Sequence, residues 1–145
     1  QMKAAGLNVP LMGGDGIFSG EFVKLGGTNG DLATSVGAPV DTLASAKPFL
    51  EGYKAAGFAE GYEAYGAYSY DAANAIIQAL KTSLASATDA KSAREATIKA
   101  MASVSFEGAT GKVAFDEFGD SVSRVLTVYA VTDGAWAAKK TGELK

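Results

Sequence analysis

Residues 106–120 read FEGATGKVAFDEFGD, and the reading of this stretch decides the fold. Val113 and Phe115 alternate with Lys112, Ala114 and Asp116, the period of two that marks a half-buried strand. Gly108 and Gly111 flank the strand on one side. On the other, Gly119 supplies the positive φ that a turn after Asp116-Glu117 requires. The stretch predicts a strand, a tight turn, a second strand and a polar loop. Asp116, Glu117 and Asp120 crowd that loop with carboxylates, yet a calcium loop needs oxygen ligands at alternate positions and a Glu at its twelfth, where this chain has already moved into another strand. Nothing fixes two of the acids at a separation suited to glycoside hydrolysis either. The cluster reads as a solvated turn held by side-chain-to-backbone hydrogen bonds.

Working outward, residues 124–131 predict a strand in which Val125, Thr127 and Tyr129 oppose Leu126, Val128 and Ala130. Asp133-Gly134 is a turn pair, and Ala135-Trp136-Ala137 a last short strand. Upstream lie three helices. Residues 46–56 form the first, with Pro48 in its opening turn, where a missing N–H costs little. Residues 62–85 form the second, with Tyr65, Tyr68, Ala72, Ala75, Ile76 and Ala79 on its apolar face and Asp71, Asn74, Gln78 and Lys81 on its polar one. The third runs over 90–103, capped by Thr88 or Asp89, with Ile98 and Met101 among its buried residues. Near the start, residues 1–5 look like a helix end stopped by Gly6, and Asn8–Met12 like a short strand with Pro10 at an edge. A short helix over 19–25 and a strand over 31–36 follow, and Gly37-Ala38-Pro39 breaks that strand. Strands separated by helices predict an α/β layer architecture.

Composition narrows the chemistry. The 145 residues carry no histidine and no cysteine, which removes imidazole bases, thiol nucleophiles, disulfides and His- or thiolate-ligated metals. Ser-His-Asp and Cys-His catalysis are thereby excluded within the chain. Lys-based and paired-carboxylate mechanisms survive that test but need evidence of their own, and no enzyme, cofactor or metal site is expected. A net charge of −3, a pI near 4.9 and scattered basic residues argue against nucleic acid. No apolar run approaches the about 18 residues of a membrane span.

Two places could hold a ligand. Gly13-Gly14-Asp15-Gly16 follows a strand and precedes a helix, the position where open α/β sheets leave a crevice and a helix offers free N–H groups. Gly14 and Gly16 would let a ligand approach the backbone, and Asp15 adds a fixed negative charge; the alternative for Asp15 is a cap on the turn. A dinucleotide loop is a poor reading of Gly14, Gly16 and Gly20, because the spacing is off by one in a chain with 18 glycines. The second place is a tyrosine cluster: five of the six tyrosines, at 53, 62, 65, 68 and 70, fall within eighteen residues. Such rings serve either a ligand or core packing with the hydroxyl at the wet end.

The pattern of FEGATGKVAFDEFGD strongly resembles the C-terminal signature of the type I periplasmic binding proteins, in particular the leucine/isoleucine/valine-binding proteins that feed ABC importers. The Gly-Gly-Asp-Gly strand end and the Lys47-Pro48 to Gly57 helix match as well, and the chain resembles the C-terminal portion of such a protein. The resemblance implies a two-lobed α/β fold of parallel sheets flanked by helices, with hinge crossings between lobes. It places residues 1–36 and 130–145 in the C-terminal lobe and 37–129 in the N-terminal lobe. It also implies an extracytoplasmic binder of an aliphatic or branched-chain amino acid, held in an interlobe cleft and delivered to an ABC permease. A ligand-sensing receptor domain on the same fold is the other function it allows. Asp15 would meet the ligand's ammonium group with Gly14 and Gly16 beside it, and Tyr65, with Tyr62 near, would pack on the ligand's side chain. The groups that hold the ligand carboxylate would come from the N-terminal half of the same protein, so that half is an expected partner and the 145 residues alone are expected to bind weakly or not at all.

Overall fold

The computed structural model describes residues 2, 4–85 and 87–144. In chain order the elements are β1 (Met12–Gly13), α1 (Gly20–Lys24), β2 (Leu32–Val36), α2 (Lys47–Ala56), α3 (Gly66–Ser83), α4 (Ala90–Met101), β3 (Ser105–Gly108), β4 (Gly111–Ala114), β5 (Val125–Thr132) and β6 (Ala135–Glu143). Single 3-10 turns lie at Asp15–Ile17, Val40–Thr42 and Ala44–Ala46. The chain divides into two compact units, one of residues 1–37 with 125–145 and one of residues 38–124.

The first unit rests on a four-stranded sheet in the order β1-β2-β5-β6. β1 runs parallel to β2, and the other two pairings are antiparallel, so the sheet is mixed and only its first pair has the expected parallel sense. Thr127, Tyr129 and Val131 of β5 and Ala33 and Ser35 of β2 are buried. The buried Thr127 hydroxyl donates to the Gly37 carbonyl at 2.7 Å and lies 2.9 Å from the Thr141 hydroxyl, so its desolvation is compensated. Asp133 and Gly134 have φ of 52° and 78°, as a two-residue hairpin turn demands.

Three expectations for this unit change. β6 runs for nine residues rather than three, because its exposed polar half still pairs with β5 and needs no apolar alternation to do so. The ladder slips where Val128 faces Lys140 and Tyr129 faces Ala138, which leaves Lys139 as the extra residue of a bulge. β1 is confined to Met12–Gly13 instead of spanning Asn8–Met12. Pro10 has no N–H to give, and the Leu11 N–H is diverted to the Asp31 carboxylate at 2.8 Å. Of the expected helix end at 1–5, Gln1 and Lys3 lie outside the described residues; Ala4–Gly6 form a turn. β5 pairs with β2 from Leu126 to Ala130, and Val125 begins the second stretch of this unit.

In the second unit α2 starts at Lys47 with Pro48 in its first turn, as expected, and ends at Gly57. α4 is capped by Asp89: its carboxylate accepts from the Ser92 N–H at 2.7 Å, and the Ser92 hydroxyl oxygen accepts from the Asp89 N–H at 3.1 Å. The bond from the Ser92 N–H, with help from the Ser92 side chain, holds the Asp89 pKa below the usual carboxylate value. A carboxylate depressed in the folded state stabilises above its unfolded pKa, near 4, and the gain is lost as pH falls through the folded value. Asp89→Ala is therefore expected to lower the thermal midpoint at neutral pH, with the gap to the parent closing on acidification, as followed by circular dichroism.

The packing of α3 and α4 departs from the amphipathic pattern. α4 buries no residue fully and Ile98 is 73% exposed. Its contact with α3 runs instead through Ala100, Met101 and the Ser83–Thr97 hydroxyl pair at 2.7 Å, and Ile98 lies off that line. α3 begins at Gly66 rather than 62 and buries Ala67, Asp71, Ala75, Ala79 and Ser83, a stripe that repeats every four residues. Ile76, placed on the buried face by its hydrophobicity, is 49% exposed; Asp71, placed on the polar face, is 3% exposed. The small stripe residues allow close approach, and Asp71 is drawn inward because its carboxylate accepts three hydrogen bonds. These come from the Ala109 N–H at 2.8 Å, the Thr110 N–H at 2.8 Å and the Thr110 hydroxyl at 2.7 Å. Ala109 and Thr110 are the two residues that link β3 to β4, which pair antiparallel with Gly108 opposite Gly111. A Cβ on Gly108 would sit 2.5–2.6 Å from the Asp71 carboxyl atoms, so only glycine admits the carboxylate. The 106–120 stretch is thus the hairpin and loop expected of it. In the loop, Asp116 accepts from the Phe118 and Asp120 N–H groups at 2.9 and 3.0 Å, and Gly119 has φ of 87°.

Candidate functional site

In the first unit the candidate residues sit just past β1. Gly14 precedes the 3-10 turn, and Asp15, exposed, is its first residue. Two devices hold this strand end in place. Asp31, 6% exposed, accepts from the Leu11 N–H and the Thr28 N–H, both at 2.8 Å, and so ties the approach to β1 to the turn before β2. Beyond the 3-10 turn, Phe18 lies with its ring centroid 4.0 Å from that of Tyr129, and Phe22 stacks on Trp136 at 5.5 Å. The Trp136 indole N–H donates to the Ser19 carbonyl at 2.9 Å. The loop between these anchors carries Gly14, Asp15 and Gly16 together.

Neither Gly14 nor Gly16 has a positive φ, and a Cβ on either would meet no atom within 4 Å. Among the described residues, neither backbone strain nor packing asks for glycine there. Gly13 differs, since its Cβ would press on the end of the Ile17 side chain.

The second unit holds the tyrosines. Tyr62 packs edge-on against Phe49 at 5.4 Å and Tyr53 at 5.8 Å, and Tyr70 packs on Phe49 at 5.3 Å. Burial, aided by the negative charge of Asp41, raises the Tyr62 phenol above its usual pKa. Gly66 must be glycine beside it, because a Cβ there would lie 2.6 Å from the Tyr62 Cβ. Tyr62 therefore does structural work at the head of α3. Tyr65, at the N-cap position of that helix, is 49% exposed. Asp15 belongs to one unit and the two tyrosines to the other.

Two residues that the sequence reading did not place in the interior matter most for these placements. Asp31 and Asp71 are both buried carboxylates that accept turn N–H groups. The only sequence signal for either is an Asp at a strand start or inside an Ala-rich helix, which without a partner in view reads as a surface residue. Among the described residues no group of acidic side chains is placed to hold a metal ion. A groove of about 270 Å³ in the second unit is lined by Phe49, Tyr70, Asp71, Asn74 and Phe106, and includes neither Tyr62 nor Tyr65. Its carboxylate is already engaged by the hairpin.

Residues 48–134 match the receptor family ligand binding region. The chain belongs to this family. Its members are binding regions of receptors, not enzymes, and the solved structures agree in kind. A leucine-binding protein, LivK, from Thermotoga maritima superposes with a TM-score of 0.75 at 26% identity, over 96% of this chain and 39% of its own. LivJ of Streptococcus pneumoniae, a branched-chain amino acid transporter substrate-binding protein solved with isoleucine, gives 0.70 at 24% identity, over 98% of this chain and 39% of its own. A solute-binding protein of an ABC transporter from R. palustris, solved with benzoate, gives 0.73 at 18% identity, over 95% and 37%. No curated protein matches. The chain thus has the α/β fold of the type I periplasmic binding proteins and spans about two fifths of the length of these structures. Among the described residues no helix is long and apolar enough to cross a membrane.

Proposed function

We propose that the chain is part of the solute-binding component of an ABC importer, works outside the cytoplasm, and helps bind an aliphatic amino acid that is passed to a membrane permease. The observation that carries this reading is the likeness to the Thermotoga leucine-binding protein over nearly the whole chain. In this reading the unit of residues 1–37 and 125–145 is the C-terminal-lobe part and residues 38–124 are the N-terminal-lobe part. The rest of the same protein completes both lobes and supplies the donors for the ligand carboxylate.

Asp15 accepts hydrogen bonds from the ligand's ammonium group, a charge-assisted contact that selects for amines. Gly14 and Gly16 leave room for the ligand to reach the backbone, which accounts for glycines that nothing in the chain requires. Tyr65 offers its exposed ring to the ligand side chain, and Tyr62 backs it by fixing the head of α3. Closure of the lobes on the ligand creates the form that the permease recognises.

Loss of a hydrogen bond to a charged group costs about 1.5–3 kcal/mol, or roughly 10–150-fold in affinity. Asp15→Asn in the full-length protein is expected to weaken leucine binding in a calorimetric titration by a factor of that order, and Gly14→Ala is expected to weaken it by obstructing the approach to the backbone. Thermal stability of Gly14→Ala should not change, because Gly14 has open space at Cβ. Unchanged affinity in Asp15→Asn would remove this loop from the site. The family's description as a receptor region favours one other reading, a sensor that reports ligand to a membrane partner. Genes for a permease and an ATPase beside this one would support transport; a kinase or cyclase gene would support sensing.

A further inference from the structure

The turn before β2 carries a chemistry that the candidate site does not use. Residues 28–31 read Thr-Asn-Gly-Asp, and the Asp31 N–H donates to the Thr28 carbonyl at 2.9 Å. Gly30 has φ of 95°, while Asn29 is not among the residues of positive φ. That is the pattern of a type II turn, which demands glycine at its third position. Asn29 and Gly30 are both exposed. In any chain, the side-chain amide carbon of an asparagine can close a five-membered ring with the backbone nitrogen of the next residue. Glycine leaves that nitrogen least shielded, because it has no Cβ. The residue that the turn requires is therefore the one most open to ring closure.

The chain has two other asparagines, and both are placed against this reaction. Asn8 precedes Val9, whose branched side chain crowds its own N–H. Asn74 lies inside α3, where its side-chain amide donates to the Tyr70 carbonyl at 3.0 Å and the following N–H belongs to the helix ladder. Asp15-Gly16 and Asp133-Gly134 have the same spacing, but a carboxyl group must expel water where an amide expels ammonia, and at neutral pH its ionised form is the poorer electrophile.

We propose that Asn29 is a site of spontaneous covalent modification, restrained by the fold and released by local opening of the β2–β5 edge. The Gly30 nitrogen gives its proton to water and attacks the Asn29 Cγ. A C–N bond forms, the side-chain nitrogen leaves as ammonia, and a succinimide ring remains. Water then opens the ring at either carbonyl, which yields aspartate or isoaspartate without any change of oxidation state. In isoaspartate the main chain runs through Cβ and Cγ and is longer by one methylene. The restraint lies in the hydrogen bonds: the Gly30 N–H donates to the Val131 carbonyl at 3.0 Å, and the Val131 N–H donates to the Asp31 carbonyl at 2.9 Å. Val131 is 2% exposed, so the nucleophile is fastened to the core and is freed only when that edge opens. The consequence falls on Asp31, whose carboxylate holds the Leu11 and Thr28 N–H groups. An extra methylene between Thr28 and Gly30 breaks the spacing of the turn, and the tie from Asp31 to the two-residue pairing of β1 with β2 is lost with it. Neither step depends on what the protein binds.

The test incubates the full-length protein and a synthetic peptide of residues 25–36 side by side in mildly alkaline buffer. Mass spectrometry of the digests locates the gain of one dalton and the isoaspartate. Asn29 is expected to convert readily in the peptide and roughly tenfold more slowly in the folded protein. Asn8 and Asn74 should stay intact in the folded protein over the same period. The isoaspartate form, separated by ion exchange, is expected to unfold at a lower temperature than the parent. Asn29→Asp adds the charge without the methylene and should stay close to the parent, since Asn29 is exposed. Absence of isoaspartate at Asn29 from both samples would remove the site. Equal rates in peptide and protein would remove the restraint, and an isoaspartate form as stable as the parent would remove the link to Asp31. Any one of these three results overturns the proposal.

Discussion

Replacing Asp71 by alanine is expected to destabilise the second unit by roughly 2–5 kcal/mol. The estimate follows from what is left behind. The Ala109 and Thr110 N–H groups lose their acceptor at 2.8 Å, Ala109 is 3% exposed, and each donor stranded away from water costs about 1–3 kcal/mol. The hairpin link also loses its tie to α3, a contact between residues nearly forty positions apart in sequence. Asp71→Asn keeps the shape but turns one acceptor into a donor, and about half the loss is expected. Urea unfolding followed by helical circular dichroism reads both. A cost below 1 kcal/mol for Asp71→Ala would show that the hairpin holds itself.

Gly108→Ala is expected to cost about 1–3 kcal/mol, because overpacking into a fixed group forces it from its place. The new Cβ would lie 2.5–2.6 Å from Cγ and both carboxylate oxygens of Asp71, on a side chain pinned by three hydrogen bonds. The two substitutions should therefore be strongly non-additive. Once Asp71 is alanine the added methyl has space, so the double variant should be little worse than Asp71→Ala alone. The single costs should exceed the double by about 1–3 kcal/mol, the range for residues in direct contact. Additive costs would mean that Gly108 matters for its backbone and not for the carboxylate it admits.

That pair also shows what could be read from the sequence. Local chemistry was legible wherever it was self-contained: Pro48 and Gly57 bounded α2, Asp89 capped α4, Asp133-Gly134 made its turn, and the loop at Asp116 closed on its own side chain. Period-two alternation found β4 and β5. The face of α3 was not legible in the same way. Hydrophobicity assigned Ile76 inward and Asp71 outward, and both assignments failed because the helix meets its neighbours through a stripe of small residues. A buried aspartate becomes intelligible only with the turn it serves, and Gly108 and Asp71 are too far apart in sequence to suggest each other. β1 shrank for a similar reason: its N–H donor is taken by Asp31, twenty residues on. For the candidate site, the glycine loop after β1 appears where its sequence put it. Tyr62 turns out to belong to the aromatic packing around Phe49, which leaves Tyr65 as the more exposed of the two rings.

The most direct test of the binding assignment is native mass spectrometry of the full-length protein titrated with leucine, isoleucine and valine, with Asp15→Asn alongside. The account predicts a one-to-one amino-acid adduct at micromolar ligand, released on denaturation and strongly reduced in Asp15→Asn. No adduct with any amino acid, or an adduct that Asp15→Asn retains undiminished, would contradict it.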